Sequence, residues 1–315
     1  MTLTSPGTTT KTLAPEDEEA DPIEAALESQ SEQLTAEPST AEVRQLGETD
    51  LARCSALGAG RGWGAEETKW GLLFAVGEVY GIEDENGELI TACVLTRYGA
   101  RFGTVSAVLV AEGHEGRGHE ARIMQHILDQ AKSSALVLHA TPRERPMYEA
   151  LGFERFGAVE EHVGRFDPTG LQPGRSQEAS AEDLLQLARL DHEVYGVHRT
   201  ALLKRLADFA ERVRVLRDEE GLIIGYGALW RDEETATIGP ILAPDIAGAR
   251  DLITDLADGV EGPIRLELDH EGDDLSAWAS GHGLKLAYTC SHMVLGGPAP
   301  MDQARLHSPL MCALG

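Results

Sequence analysis

The sequence predicts a mixed α/β fold of two tandem units, each a central mixed sheet flanked by helices. Three observations carry that expectation. The chain has 315 residues, 42% of them hydrophobic, enough for two cores of ordinary size. From residue 41 onward, strand-period and helix-period hydrophobic patterns alternate. After a Pro- and Gly-bearing linker the same order partly repeats, with almost no sequence identity between the copies.

Residues 1–40 are rich in Thr, Ser, Pro and acidic side chains and contain no aromatic residue. Such a segment buries too little apolar surface to offset its ordering entropy, so a disordered acidic tail is expected there. The first unit then spans 41–166. "AEVRQLGETDLARCSALG" reads as a strand and a helix that starts at "ETD", and "TKWGLLFAVGEV" as a second helix. "YGIED" and "ELITACVLTRYG" read as strands around the turn "ENGE", and "RFGTVSAVLVAEG" as the next strand. In "EARIMQHILDQAKSS", Ile123, Met124, Ile127, Leu128 and Ala131 share one helical stripe. "ALVLHAT" is again a strand, "RPMYEALGF" a short helix ending at Gly152, and "GAVEEHVGRF" a last strand.

The linker spans residues 167–178 and opens with "DPTGLQPGRSQ", and 179–315 form the second unit. There "SAEDLLQLARLDHEVYG" and "RTALLKRLADFAE" read as helices, and "RVRVLRDEEGLIIGYGALWRDEETATIGPILA" supplies three strands. A helix over "IAGARDLITDLADGV", a strand over "PIRLELDH", a helix over "DLSAWASGHG" and a strand over "KLAYTCSHMVLGG" follow, with "DHEGDD" a solvated run.

The formal net charge of −26 opposes nonspecific nucleic-acid binding, which needs a basic footprint. It suits a cationic substrate such as an amine, and equally a solubilising surface. No apolar run approaches the roughly 20 residues that span a bilayer, and the N-terminus shows no apolar signal segment. Cys54, Cys93, Cys290 and Cys312 have no metal-ligand spacing and read as isolated thiols in a reducing compartment. The expectation is a cytoplasmic, metal-free protein, monomeric or homodimeric, without membrane or nucleic-acid partners.

The chemistry-bearing stretch is "GHEGRGHEARIM", residues 113–124. An apolar strand runs into a Gly-x-Gly turn and then a helix, so unpaired amides and the helix dipole converge on one point. Gly116 and Gly118 lack a Cβ and let a phosphate approach the backbone closely. The wider segment "VLVAEGHEGRGHEARIM" resembles the acetyl-coenzyme A-binding segment of the GNAT family of N-acyltransferases. There a strand is followed by an Arg/Gln-x-x-Gly-x-Gly/Ala turn and a helix. Some thirty residues on, "RPMYEALGFERFG" resembles the family's second hallmark, a Tyr on a short helix followed by Gly-Phe. The resemblance covers residues 41–165. The second unit, with "LIIGYGALWR", "TIGPILA" and "GHGLKLA", looks like the degenerate domain of tandem members: its strand-to-helix segment "PILAPDIAGARDLI" has no Gly-x-Gly turn, and Ala279 stands where Tyr148 would.

The resemblance implies an acetyl transfer from acetyl-coenzyme A to the amine of a small-molecule acceptor by direct attack. Val105–Val110 and Leu136–Ala140 would splay into a cleft. Pantetheine would lie along Val108, Leu109 and Val110, and the diphosphate on residues Glu115, Gly116, Arg117, Gly118, His119, Glu120 and Ala121. Tyr148 would protonate the departing thiolate. Glu78 and His139 are candidate bases, and Asp191, Arg199 and Trp230 candidate acceptor-lining residues. Two departures stand out: Glu115 replaces the usual Arg or Gln, and Glu120 the usual small residue. Each puts a carboxylate near a diphosphate, unless Glu120 turns outward or pairs with Arg117 or Arg122. The alternative function is therefore a non-catalytic acyl-coenzyme A-binding or interaction protein. A dinucleotide-dependent oxidoreductase is excluded, because no Gly-x-Gly-x-x-Gly opens a parallel βαβ unit.

Overall fold

The computed structural model describes residues 39–62, 66–131, 135–232, 235–269, 273–312 and 314. The expected acidic tail lies outside them except for its last two positions. The first half runs β1 (Val43–Gln45), α1 (Leu51–Ala59), α2 (Glu67–Val76), β2 (Glu78–Glu83), β3 (Leu89–Arg97), β4 (Phe102–Val110), α3 (His119–Ala131), β5 (Ala135–Ala140), α4 (Arg145–Ala150) and β6 (Glu154–Gly164). The second half runs β7 (Gln177–Glu178), α5 (Leu184–Tyr195), α6 (Thr200–Phe209), β8 (Arg212–Arg217), β9 (Ile223–Asp232), β10 (Thr235–Leu242), α7 (Ile246–Ala257), β11 (Ile264–Asp269), α8 (Asp273–Gly281), β12 (Leu284–Leu295) and β13 (Leu306–Ser308). Most elements fall where hydrophobic periodicity puts them. Strand β13 has three residues, too few for alternation to register.

Helix α3 shows how pattern becomes packing. Ile123, Met124 and Ile127 are fully buried and lie in one cluster with Ile82, Leu95, Leu136 and Leu138 of the sheet. Burying each such aliphatic side chain contributes about 1.5–3 kcal/mol relative to exposure. A second cluster joins the halves: Trp70 and Phe102 of the first pack with Leu202, Tyr226 and Trp230 of the second.

Among the described residues thirteen strands form one sheet, ordered β1-β2-β3-β4-β5-β12-β6-β11-β10-β9-β8-β7, with β13 on β10. The order contains a reciprocal exchange. Strand β12, from the second half, sits between β5 and β6 of the first. Strand β6, from the first half, sits between β12 and β11 of the second. Each half's closing strand thus completes the other, and the two halves share their backbone hydrogen bonds.

The parallel neighbours β4 and β5 pair only at Phe102–Thr104 with Ala135–Val137. Beyond that, β4 carries a bulge: its register with β3 shifts between Ala92 and Val94, and Ala107 adopts φ 49°. A bulge bends and overtwists its strand, so β4 diverges while β5 goes on to pair with β12 through Ala140. The expected cleft between Val105–Val110 and Leu136–Ala140 is present.

Candidate functional site

Two cavities lie along the splayed face of β4. The first, of about 290 Å³, is walled by Val108–Val110, the turn before α3 and the start of α4. The second, of about 320 Å³, continues from Val105–Val108 past His139 and Tyr148 to residues of the second half. Val108 and Glu144 line both, so the two form one path.

In the first cavity the turn has the form of an anion cradle. Gly113, Gly116 and Gly118 all take positive φ, at 79°, 69° and 73°, a conformation that costs L-residues about 1–2 kcal/mol. An added Cβ on Gly116 meets nothing within 4 Å, so there is open space above the backbone. Helix α3 begins at His119, and its first-turn amides have no intrahelical acceptor. Among the residues expected at this site, Val108, Leu109, Val110, Glu115, Gly116, Gly118, His119, Glu120 and Ala121 line the cavity. Arg117 does not.

The two acidic departures are handled differently. Glu115 turns into its own loop: its carboxylate accepts from the Gly113 amide at 2.8 Å and pairs with Arg61. Against the cost of burial, its own amide, Arg61 and Gly113 hold its pKa below the usual value. Arg61, 54 positions away, also lines the cavity, as does Arg143. Glu120 neither leaves the site nor pairs with Arg117 or Arg122; it lines the cavity, while Arg122 donates to the Ala41 carbonyl. Burial, and after it the Glu144 charge, push the Glu120 carboxyl up to about 7.

Tyr148 lines the second cavity where the two meet and is 2% exposed. It sits one helical turn after Glu144, which is locked by the Thr141 amide and hydroxyl, at 3.1 and 2.8 Å to one carboxylate oxygen. Burial, then Glu144 and Glu120, raise the Tyr148 pKa well above that of a free phenol. The hydroxyl therefore keeps its proton through the neutral range.

The candidate bases separate. His139 lines the second cavity; its Nδ1 lies 2.8 Å from the Cys312 carbonyl and its ring stacks on His292 at 4.2 Å. A carbonyl only accepts, so Nδ1 carries the proton, and burial lowers the pKa to about 4. Glu78 is excluded by position: it takes Tyr80 Oη and Arg97 at 2.7 Å each and belongs to the lining of neither cavity.

The acceptor-side expectations also need correction. Trp230 lines the second cavity. Asp191 and Arg199 do not; they are 0% and 2% exposed and form a core ion pair. Arg199 Nη2 and Nε reach Asp191 at 2.7 and 3.2 Å, Tyr226 Oη donates to Asp191 at 2.7 Å, and the guanidinium lies 3.2 Å from the Tyr195 ring centroid. Residues eight apart across a helix end have met each other rather than a ligand. What lines the cavity instead is Glu66, Lys69, Glu144, Glu161, Arg265, Glu267 and Tyr288. No motif marks these residues; they converge only through the strand exchange.

Among the described residues, no group of three or more His, Cys, Asp or Glu side chains could hold a metal ion. No described helix is long and apolar enough to cross a membrane.

Residues 52–153 match the acetyltransferase (GNAT) family and residues 187–308 an acetyltransferase (GNAT) domain. The chain is 28% identical over 260 residues to the uncharacterized N-acetyltransferase YitH of Bacillus subtilis, covering 81% of this chain and 91% of that one. A solved structure from Pyrococcus horikoshii superimposes with a TM-score of 0.75 at 14% identity, over 89% of this chain and 98% of that one. A tandem GNAT protein from the clavulanic acid biosynthesis pathway superimposes with a TM-score of 0.60 at 14% identity, over 82% and 99%.

Proposed function

The chain belongs to the GNAT family of acetyltransferases, with two GNAT domains in tandem, and we propose that it moves an acetyl group from acetyl-coenzyme A to the amine of a small-molecule acceptor. The observation that carries this reading is the continuous path along β4. A phosphate cradle lies at one end, Tyr148 at the junction, and a polar cavity walled by the second half lies at the other.

Acetyl-coenzyme A supplies an activated thioester. The chain's own residues do the rest. The amides of the Glu115–Ala121 turn receive the diphosphate, with Arg61 and Arg143 alongside. The unpaired edge of β4 at Val108–Val110 hydrogen-bonds the pantetheine arm as an added strand would. The neutral acceptor nitrogen forms its bond to the carbonyl carbon as the carbon–sulfur bond breaks. Tyr148 gives its proton to the leaving sulfur, and Glu144, which lines both cavities, receives the proton the nitrogen sheds. The second half closes the acceptor side and carries no transfer chemistry.

Calorimetric titration of coenzyme A, paired with thiol release from acetyl-coenzyme A over an amine panel, tests the reading. We expect a saturable heat and amine-dependent release. Binding without release would favour the non-catalytic alternative, and no heat at millimolar ligand would end both.

A pH dependence follows from Glu120. Below about 7 its carboxyl is neutral, and above about 7 it is charged. Repulsion of a nearby phosphate at ~4 Å costs about 1 kcal/mol in water-like surroundings. Coenzyme A affinity should therefore fall about three- to fourfold between about pH 6 and about pH 8, beyond whatever the ligand's own phosphates contribute. Glu120→Gln should lose that component; an identical pH profile for variant and parent would place the Glu120 charge away from the ligand.

A further inference from the structure

The floor of the second cavity contains an arrangement that an ordinary core would avoid. Glu161 of β6 and Glu267 of β11 are direct partners in the antiparallel register. They come from different halves, are 8% and 7% exposed, and both line the cavity. Like charges placed directly opposite one another destabilise a sheet, and a buried charge without compensation is expensive. The protein's own cations only partly answer this. Lys69 is held by Glu66 at 2.6 Å, and Arg265 divides itself between Glu66 at 2.8 Å and Glu161 at 3.6 Å. Glu161 takes Tyr288 Oη at 2.8 Å, and Glu267 takes the Cys312 amide at 2.6 Å. Four carboxylates, counting Glu66 and Glu144, thus face two cations in one small chamber.

A second observation points to a guest. The same cavity is lined by Ser106, 7% exposed, and Trp230, 2% exposed, and their Oγ and Nε1 have no hydrogen-bond partner among the described residues. Buried polar atoms are nearly always satisfied, and those that are not call for an explanation. A polar molecule supplying contacts to these atoms provides one. The cavity's volume of about 320 Å³ lies at the lower end of ligand sites, which suits a small acceptor.

We propose that the acceptor is a small molecule with a second cationic nitrogen, which the Glu161–Glu267 pair receives while the nitrogen to be acylated faces Tyr148. This rests on the transferase reading above. The strand exchange then has a functional consequence, because neither half alone would assemble the cation-receiving pair. Monoamines would leave the pair unanswered, and amino acids would bring a third carboxylate beside it.

The test is calorimetry on the full chain, with and without coenzyme A, titrating 1,4-diaminobutane, butylamine and β-alanine. Thiol release is followed with the same three amines. The expected result is a dissociation constant at least tenfold lower for the diamine than for butylamine, with β-alanine weakest. In Glu267→Gln and in Glu161→Gln that preference should shrink below about threefold. Each substitution relieves repulsion, so both variants should fold; should one fail, the other and the parent's ranking still decide. Equal binding of diamine and monoamine by the parent, tighter binding of β-alanine, or an undiminished preference in both variants would overturn the proposal. The heat of coenzyme A is read separately, so its absence strikes the transferase reading, whereas a monoamine preference with coenzyme bound strikes only the acceptor class.

Discussion

Tyr148→Phe is expected to lower kcat by about 10²–10³-fold, with coenzyme A affinity unchanged within about twofold. The substitution removes one oxygen from a side chain packed edge-on against Phe153, with ring centroids 5.9 Å apart. The ring's packing survives, so the loss reports on the hydroxyl alone. Burial and the Glu144 and Glu120 charges keep that hydroxyl protonated through the neutral range, which is the form a donor to the leaving sulfur must have. An anion developing in the same poorly solvated junction becomes more basic too, so the match between donor and leaving group is retained. The measurement is steady-state thiol release from acetyl-coenzyme A with the best amine, beside calorimetry of coenzyme A. A variant that turns over at the parental rate would remove Tyr148 from the chemistry. A variant with weakened coenzyme binding would make it a wall of the cleft instead.

How much of this was legible depends on how far apart in the chain the cooperating groups lie. The glycine turn is contiguous: strand, glycines and helix start occupy one stretch of sequence, and the cavity forms on those residues. The place of Tyr148 on the cavity wall was legible for the same reason, since "MYEALGF" carries its helix and the following glycine together. The fate of Glu115 was not, because its partner Arg61 is 54 residues away. The second cavity is the extreme case. Glu66, Glu161 and Glu267 come from three distant segments, and their meeting depends on β6 and β12 each crossing into the other half. Alternation in a strand shows which side chains share a face but not which strand lies alongside. The exchange is therefore silent in the residues that perform it. Asp191 and Arg199 misled in the opposite direction: charged residues are seldom fully buried unless paired, so an accessible role was the natural expectation, and the pairing was visible only in space.

Arg199→Met should destabilise the folded chain by about 3–5 kcal/mol, the loss typical when one partner is removed from a buried ion pair. The side chain would lose its hydrogen bonds to Asp191 and its stacking on Tyr195. Asp191 would remain fully buried, still accepting from the Tyr226 hydroxyl but without its guanidinium partner. Burying an unpaired charge costs far more than the pair returns. The double replacement Asp191→Leu with Arg199→Met should therefore recover most of the loss. Equilibrium urea denaturation measures both. Because β6 and β12 interlock the halves and one apolar cluster spans them, the weakening should appear as a lower midpoint of a single transition. Acceptor KM separates this role from a ligand-binding one: below the midpoint it should match the parent's. A raised KM at full stability would return the pair to the acceptor site, and two separate transitions would mean that the shared strands do not couple the halves.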